Sequence, residues 1–215
     1  MTLLQLALDL IDSRDAADLL REIDAAIDVV EAGTPMIKRE GMDALRRLRE
    51  AAPSLLLVAD MKTMDAGAYE AELAFGAGAN LTTVLGCASD ATVEGALAVA
   101  RDRGGKVVVD PIGVADKVGR ARALEALGVD YLGIHAGTDE QSHGADPLAD
   151  LGAVSAAVST PLAVAGGITL ATLTAILALR PAIVIVGSRI TRAADPVAAA
   201  FAFKSAIVRF ERGGS

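Results

Sequence analysis

The sequence predicts an α/β fold, a single-domain (β/α)8 (TIM) barrel occupying residues 1–215. Three observations predict it. Short apolar runs of β type recur eight times, each is followed by a turn and a helix-period segment, and the residues just past the runs lie 21 to 31 positions apart. The runs are near-continuous rather than alternating, as a parallel sheet covered on both faces requires. Eight such units in 215 residues fit the lower end of the size range for this barrel.

Taken in order, the runs are Leu3–Leu8, Ile27–Glu31, Leu55–Ala59, Leu81–Leu85, Val107–Val109, Tyr131–Ile134, Leu162–Ala165 and Ile183–Val186. Between them, Ser13 stands before an Ala16-Ala17-Leu19-Leu20-Ile23 pattern as an expected N-cap, and Asp116 stands likewise before Val118–Leu127. Gly78, Gly104-Gly105 and Gly128 fall where helices should stop. No linker, low-complexity tract or second domain divides the chain.

Composition excludes several classes. At 53% hydrophobic residues the chain can offset its conformational entropy by burial, so it is not disordered. Cys87 is the sole cysteine, which rules out an internal disulfide and fits a reducing compartment, the cytoplasm. The N-terminal segment has no basic region ahead of its apolar run and meets Asp9 early, unlike a secretory signal. Leu151 to Leu179 is uncharged, but Pro161, Gly166-Gly167 and scattered hydroxyl residues break it into helix end, strand and helix start, so no membrane partner is expected. A net charge of −8 without a basic stripe argues against nucleic acid. A small anion stays compatible, because backbone amides can hold a phosphate whatever the overall charge.

In this fold chemistry gathers where the strands end. The residues just past the eight runs are Asp9, Glu31, Asp60, Gly86, Asp110, His135, Gly166 and Gly187. Five titratable groups after five apolar strands point to an enzyme. The densest segment is Asp60-Met-Lys62-Thr-Met-Asp65; alternation puts Asp60 and Lys62 on one side, facing the barrel mouth. An ammonium there can stabilise a developing oxyanion, or the two can form a structural ion pair. Asp65 reads either as a functional carboxylate or as the N-cap of the next helix. Glu31 and Asp60, on adjacent strands, suit Mg²⁺, which takes one or two carboxylates and fills its shell with water and substrate oxygens. A rim salt bridge is the alternative for Glu31. With two histidines in the chain a His-rich metal site is impossible. His135, at a strand end, is the proton-transfer candidate, and His143 reads as a solvated loop residue. Gly166-Gly167 and Gly187-Ser188-Arg189 follow the last two strands, the recurrent phosphate site of the fold.

Together these residues resemble the orotidine-monophosphate decarboxylase suprafamily, whose Asp-x-Lys-x-x-Asp motif is similar to Asp60–Asp65. The surrounding segments, Ala59–Gly67, Thr83–Gly86, Val107–Asp110, His135–Gln141 and Val164–Ile168, with Gln5–Asp9 and Gly33–Pro35, resemble its 3-hexulose-6-phosphate synthase branch, with 3-keto-L-gulonate-6-phosphate decarboxylases as near relatives. The resemblance implies a Mg²⁺-dependent lyase that joins formaldehyde to ribulose 5-phosphate through an enediolate. It implies that Glu31 and Asp60 hold the metal, Lys62 stabilises the enediolate oxygen and His135 transfers the proton. Asp9 and Asp110 would orient hydroxyls and water, and Gly166, Gly167, Gly187, Ser188 and Arg189 would bind phosphate. It further implies a homodimer with shared sites, Asp65 reaching into the partner's. Asp110, and the uncharged Ala136-Gly137-Thr138 after His135, favour the synthase over the decarboxylase; Arg189 leans the other way, and Pro111 is unusual for either. A silent phosphosugar-binding barrel would be expected to have lost Glu31, Lys62 or Asp65, and all three are present.

Overall fold

The computed structural model describes residues 1–9, 12–137, 139 and 147–213. Eight strands, β1 (Leu3–Leu8), β2 (Val29–Ala32), β3 (Leu56–Thr63), β4 (Leu81–Leu85), β5 (Lys106–Asp110), β6 (Tyr131–His135), β7 (Leu162–Ala165) and β8 (Ile183–Val186), close into one barrel in chain order. Every neighbouring pair is parallel, β8 returning to β1 through Leu3 opposite Ile183. Around it run α1 (Ser13–Ile23), α2 (Thr34–Glu40), α3 (Met42–Ala51), α4 (Gly67–Gly76), α5 (Asp90–Arg103), α6 (Lys117–Leu127), α7 (Pro147–Ser155), α8 (Leu170–Ala178), the single turn α9 (Ser188–Thr191) and α10 (Pro196–Glu211).

The barrel has two apolar regions with different jobs. The larger lies between sheet and helices, where Leu4, Leu6, Leu8, Leu20, Leu45, Leu57 and Leu124 are fully buried. The smaller is the floor inside the barrel, where Val29, Val58, Leu81 and Val108 pack with Leu3 and Tyr131. Side chains alternate along a strand, so moving two residues from each floor position stays on the inward face. Those next positions are Glu31, Asp60, Thr83 and Asp110, with Gln5 above Leu3. All five polar side chains are buried, so the inward face changes from a dry floor to a polar mouth in one step. The strand starts are pinned from below: Leu4, Leu57 and Val107 donate backbone N–H groups to the side chains of Asp28, Asn80 and Asp130, each standing just before the next strand.

Most predicted boundaries agree with the structure to within a residue or two. The exception is β3, which continues to Thr63 instead of stopping at Ala59, with a register irregularity between those residues. The N-cap of α1 is Asp12, whose side chain accepts from Arg14 N, and not Ser13. Ser13 is fully buried, its hydroxyl donating to Glu40 and accepting from Arg47, so tertiary contacts take the residue that local propensity offers as a cap. Asp116 does cap α6, accepting from Gly119 N at 2.8 Å. The uncharged stretch resolves into α7, β7 and α8, and among the described residues no helix is long and apolar enough to cross a membrane. His143 lies outside the described residues.

Candidate active site

Four of the predicted residues form one connected network at the mouth. Lys62 Nζ lies 3.0 and 2.8 Å from the two Asp60 carboxylate oxygens and 3.8 Å from Asp110 Oδ2. That same Asp110 oxygen lies 3.2 Å from His135 Nδ1. The ion pair expected as one reading of Asp60 and Lys62 therefore exists, at the mouth of the barrel. Three strand ends, β3, β5 and β6, supply these groups.

Asp60 is nearly inaccessible, and each of its carboxylate oxygens has a hydroxyl partner besides Lys62. Thr34 Oγ1 reaches Oδ2 and Thr83 Oγ1 donates to Oδ1, each at 2.7 Å. Glu31 is likewise buried and, among the described residues, forms no salt bridge; its Oε2 accepts from Gln5 Nε2 at 2.6 Å. Burial, then the charges of Asp60 and Asp9, push the Glu31 carboxyl well above the usual carboxylate range, against the Gln5 hydrogen bond and Lys62. Asp9, at the solvent-accessible rim, is raised by desolvation and then by Asp60, with Lys62 and His135 pulling the other way. Its carboxylate occupies the space a side chain on Gly33 would fill, since a Cβ there would meet Asp9 Oδ1 at 2.3 Å.

Two groups are held in defined charge states. Burial pulls the Lys62 ammonium down, but Asp60 (by charge and hydrogen bond), Asp110 and Glu31 outweigh it and raise the pKa. Lys62 is thus a fixed cation, suited to charge stabilisation and unsuited to taking a proton. Burial pushes Asp110 up, yet the His135 hydrogen bond and charge, Lys62 and the Ile112 N–H hold it below the usual range. An ionised Asp110 against Nδ1 keeps the other imidazole nitrogen for proton exchange.

Excess negative charge around Glu31, Asp60 and Asp9 is what a divalent cation would relieve, so the donor chemistry fits Mg²⁺ with Glu31 and Asp60 as ligands. Among the described residues no three carboxylate, histidine or cysteine side chains converge as a ready cage. A two-carboxylate site completed by water and substrate oxygens needs none.

Across the barrel from β3, Gly166 and Gly167 follow β7 with φ of +107° and +64°. A Cβ on Gly166 would meet Ala136 O at 2.7 Å, so only glycine fits that turn. Gly187, Ser188 and Arg189 lie at the adjoining β8–α9 junction, with Ser188 and Arg189 exposed. Asp65 does not cap α4: the N-cap position is Ala66, in the left-handed region, and Asp65 Oδ1 accepts from Ala66 N at 2.8 Å, so that among the described residues the carboxylate stands outside the network. Sequence reasoning missed Gln5, Thr34 and Thr83 as parts of the site. The inward alternation from the floor positions is the signal that finds Gln5 and Thr83.

A family model described as orotidine 5'-phosphate decarboxylase / HUMPS matches residues 2–203. The chain belongs to that family. Within it, a 3-hexulose-6-phosphate synthase of Bacillus subtilis (strain 168) is 44% identical over 207 residues, covering 96% of this chain and 99% of the relative. The crystal structure of the 3-hexulose-6-phosphate synthase from Salmonella typhimurium superposes with TM-score 0.94 at 39% identity, covering 97% of this chain and 99% of that one. The 3-keto-L-gulonate-6-phosphate decarboxylase of Vibrio cholerae stands further off, with TM-score 0.86 at 30% identity and coverage of 97% and 98%. The resemblance read from the motifs and the (β/α)8 fold agree with these family members.

Proposed function

We propose that this chain is a Mg²⁺-dependent 3-hexulose-6-phosphate synthase, an aldehyde-lyase joining formaldehyde to ribulose 5-phosphate. The observation that carries the reading is the Asp60–Lys62–Asp110–His135 network in a chain matched over nearly its full length by relatives named for that activity. The C1 proton of the ketose leaves to His135, which Asp110 orients through Nδ1. Negative charge develops on the enediolate oxygen beside the Lys62 ammonium, in a site where Lys62 is already charged and positioned. The enediolate carbon then attacks the formaldehyde carbon, and the new alkoxide takes a proton to give hexulose 6-phosphate. Asp9 orients a substrate hydroxyl, while Gly166, Gly167, Gly187, Ser188 and Arg189 hold the phosphate at the opposite side of the mouth. Mg²⁺, held by Glu31 and Asp60, supplies polarisation of the ketose oxygens when bound.

Formaldehyde consumption should require ribulose 5-phosphate and should stop on addition of EDTA, returning with excess Mg²⁺. Formaldehyde consumption that needs neither the ketose phosphate nor the metal, or CO2 release from 3-keto-L-gulonate 6-phosphate in place of formaldehyde consumption, overturns the assignment. A reducing cytoplasm suits the exposed free thiol of Cys87.

The proposal includes a homodimer with shared sites. Met64, Tyr69 and Leu73 are exposed large apolar side chains flanking Asp65, an arrangement suited to a covered face. If Asp65 serves the partner's site, Lys62→Ala and Asp65→Ala chains are each inactive alone. Mixed and allowed to exchange, they should recover about a quarter of wild-type turnover, because half the dimers are hybrids with one intact site. No recovery, in a mixture shown by native mass measurement to contain hybrids, refutes sharing.

A further inference from the structure

We infer that Thr83 is a positioning residue for the reaction, acting through both Lys62 and Asp60. The inference rests on the assignment of those two side chains to catalysis. On β3 and β4, Ala59 pairs with Thr82 and the next pair is Thr63 with Val84, so Asp60, Met61 and Lys62 stand opposite Thr83 alone. The extra residues bulge out of the ladder, and Lys62 adopts a φ of +46°, one of three non-glycine residues with positive φ among the described residues. A side chain in the left-handed region holds only where its surroundings enforce it.

Thr83 supplies that enforcement with one hydroxyl. Its Oγ1 accepts the Lys62 backbone N–H at 2.9 Å, the bond the irregular ladder leaves without a strand partner. The same oxygen donates its proton to Asp60 Oδ1 at 2.7 Å. A hydroxyl has one proton to give, and here both its donor and an acceptor lone pair are spent on the motif. Thr83 is 7% exposed, so water cannot readily replace either bond. It thereby fixes the backbone that launches the Lys62 side chain and the carboxylate that receives its ammonium. Valine keeps the shape and methyl packing but satisfies neither group.

The test compares Thr83→Val and Thr83→Ser with wild type for formaldehyde fixation and thermal melting, with Lys62→Ala in the same assay. Thr83→Val should melt as a cooperative unit and lose about 10- to 100-fold in kcat, with KM for ribulose 5-phosphate within about 3-fold, since the phosphate loops lie across the barrel. Thr83→Ser, which restores the hydroxyl, should stay within about 3-fold of wild-type kcat. If Thr83→Val does not fold, Thr83→Ala against Thr83→Ser poses the same question, the pair differing only in the hydroxyl. Wild-type kcat in the hydroxyl-free variant, or a serine variant as impaired as it, overturns the inference. An active Lys62→Ala enzyme would instead mean that the assignment of Lys62 had failed.

Discussion

Lys62→Ala should lower turnover by about 10²- to 10³-fold or more, the cost of removing one preorganised group that meets developing negative charge. The structure makes this effect separable from folding. Lys62 sits 28% exposed at the mouth, above the buried floor, and its removal leaves Asp60 with hydroxyl partners from Thr34 and Thr83. Binding of the phosphate end should persist, because the loops proposed to hold it follow β7 and β8 on the far side of the barrel. The expected pattern is a large fall in kcat with KM for ribulose 5-phosphate changed far less. Lys62→Arg should recover little, since a planar guanidinium does not replace a compact ammonium held between Asp60 and Asp110. Steady-state kinetics beside thermal melting checks it, and near-wild-type turnover in a folded Lys62→Ala enzyme removes Lys62 from the mechanism.

Why so much of this site was legible follows from how a barrel uses its strands. An apolar run must end where water begins, and in a parallel barrel all eight ends fall on one face. Asp9, Glu31, Asp60, Asp110 and His135 were therefore visible as polar punctuation after buried runs. Less visible were the neutral groups that orient them. Thr83 reads as an ordinary β-former and Thr34 as a helix start before Pro35, so neither residue type signals its role. Gln5 did carry a signal, a polar side chain in the middle of an apolar strand. The local geometry of Asp60–Lys62 was read correctly in outcome but not in means. Simple alternation places both side chains in the mouth, whereas the chain gets there through a bulge and a left-handed Lys62. No local propensity encodes that, since it depends on a hydroxyl supplied by the neighbouring strand. Ser13 is a parallel case on the periphery: two adjacent residues can cap α1, and burial of Ser13 against Glu40 and Arg47 decides between them.

Glu31→Gln should move stability and activity in opposite directions. In the metal-free protein Glu31 carries a buried carboxyl whose ionisation is opposed first by burial and then by Asp60 and Asp9. A folded pKa raised above the ordinary glutamate value of 4.5 means that the native state binds the proton more tightly than the unfolded chain. The resulting cost is absent below that value, grows as pH rises through the window up to the folded pKa, and is constant above it. Glutamine keeps the shape and can still accept from Gln5 Nε2 while removing the charge. In EDTA, Glu31→Gln should therefore match wild type near the acid end and exceed it in melting temperature towards neutral pH, where the buried charge it removes is present. Excess Mg²⁺ should reverse the order. A ligand at 100 times its Kd stabilises the native state by about 2.7 kcal/mol, and only the chain with both carboxylates receives that gain in full. Turnover should fall with the lost affinity. Melting curves of both proteins across pH, in EDTA and in Mg²⁺, separate the possibilities. Equal Mg²⁺ stabilisation of the two proteins would show that Glu31 does not hold the metal. A Glu31→Gln protein less stable than wild type in EDTA at neutral pH would show that its charge is compensated by some other group in the mouth.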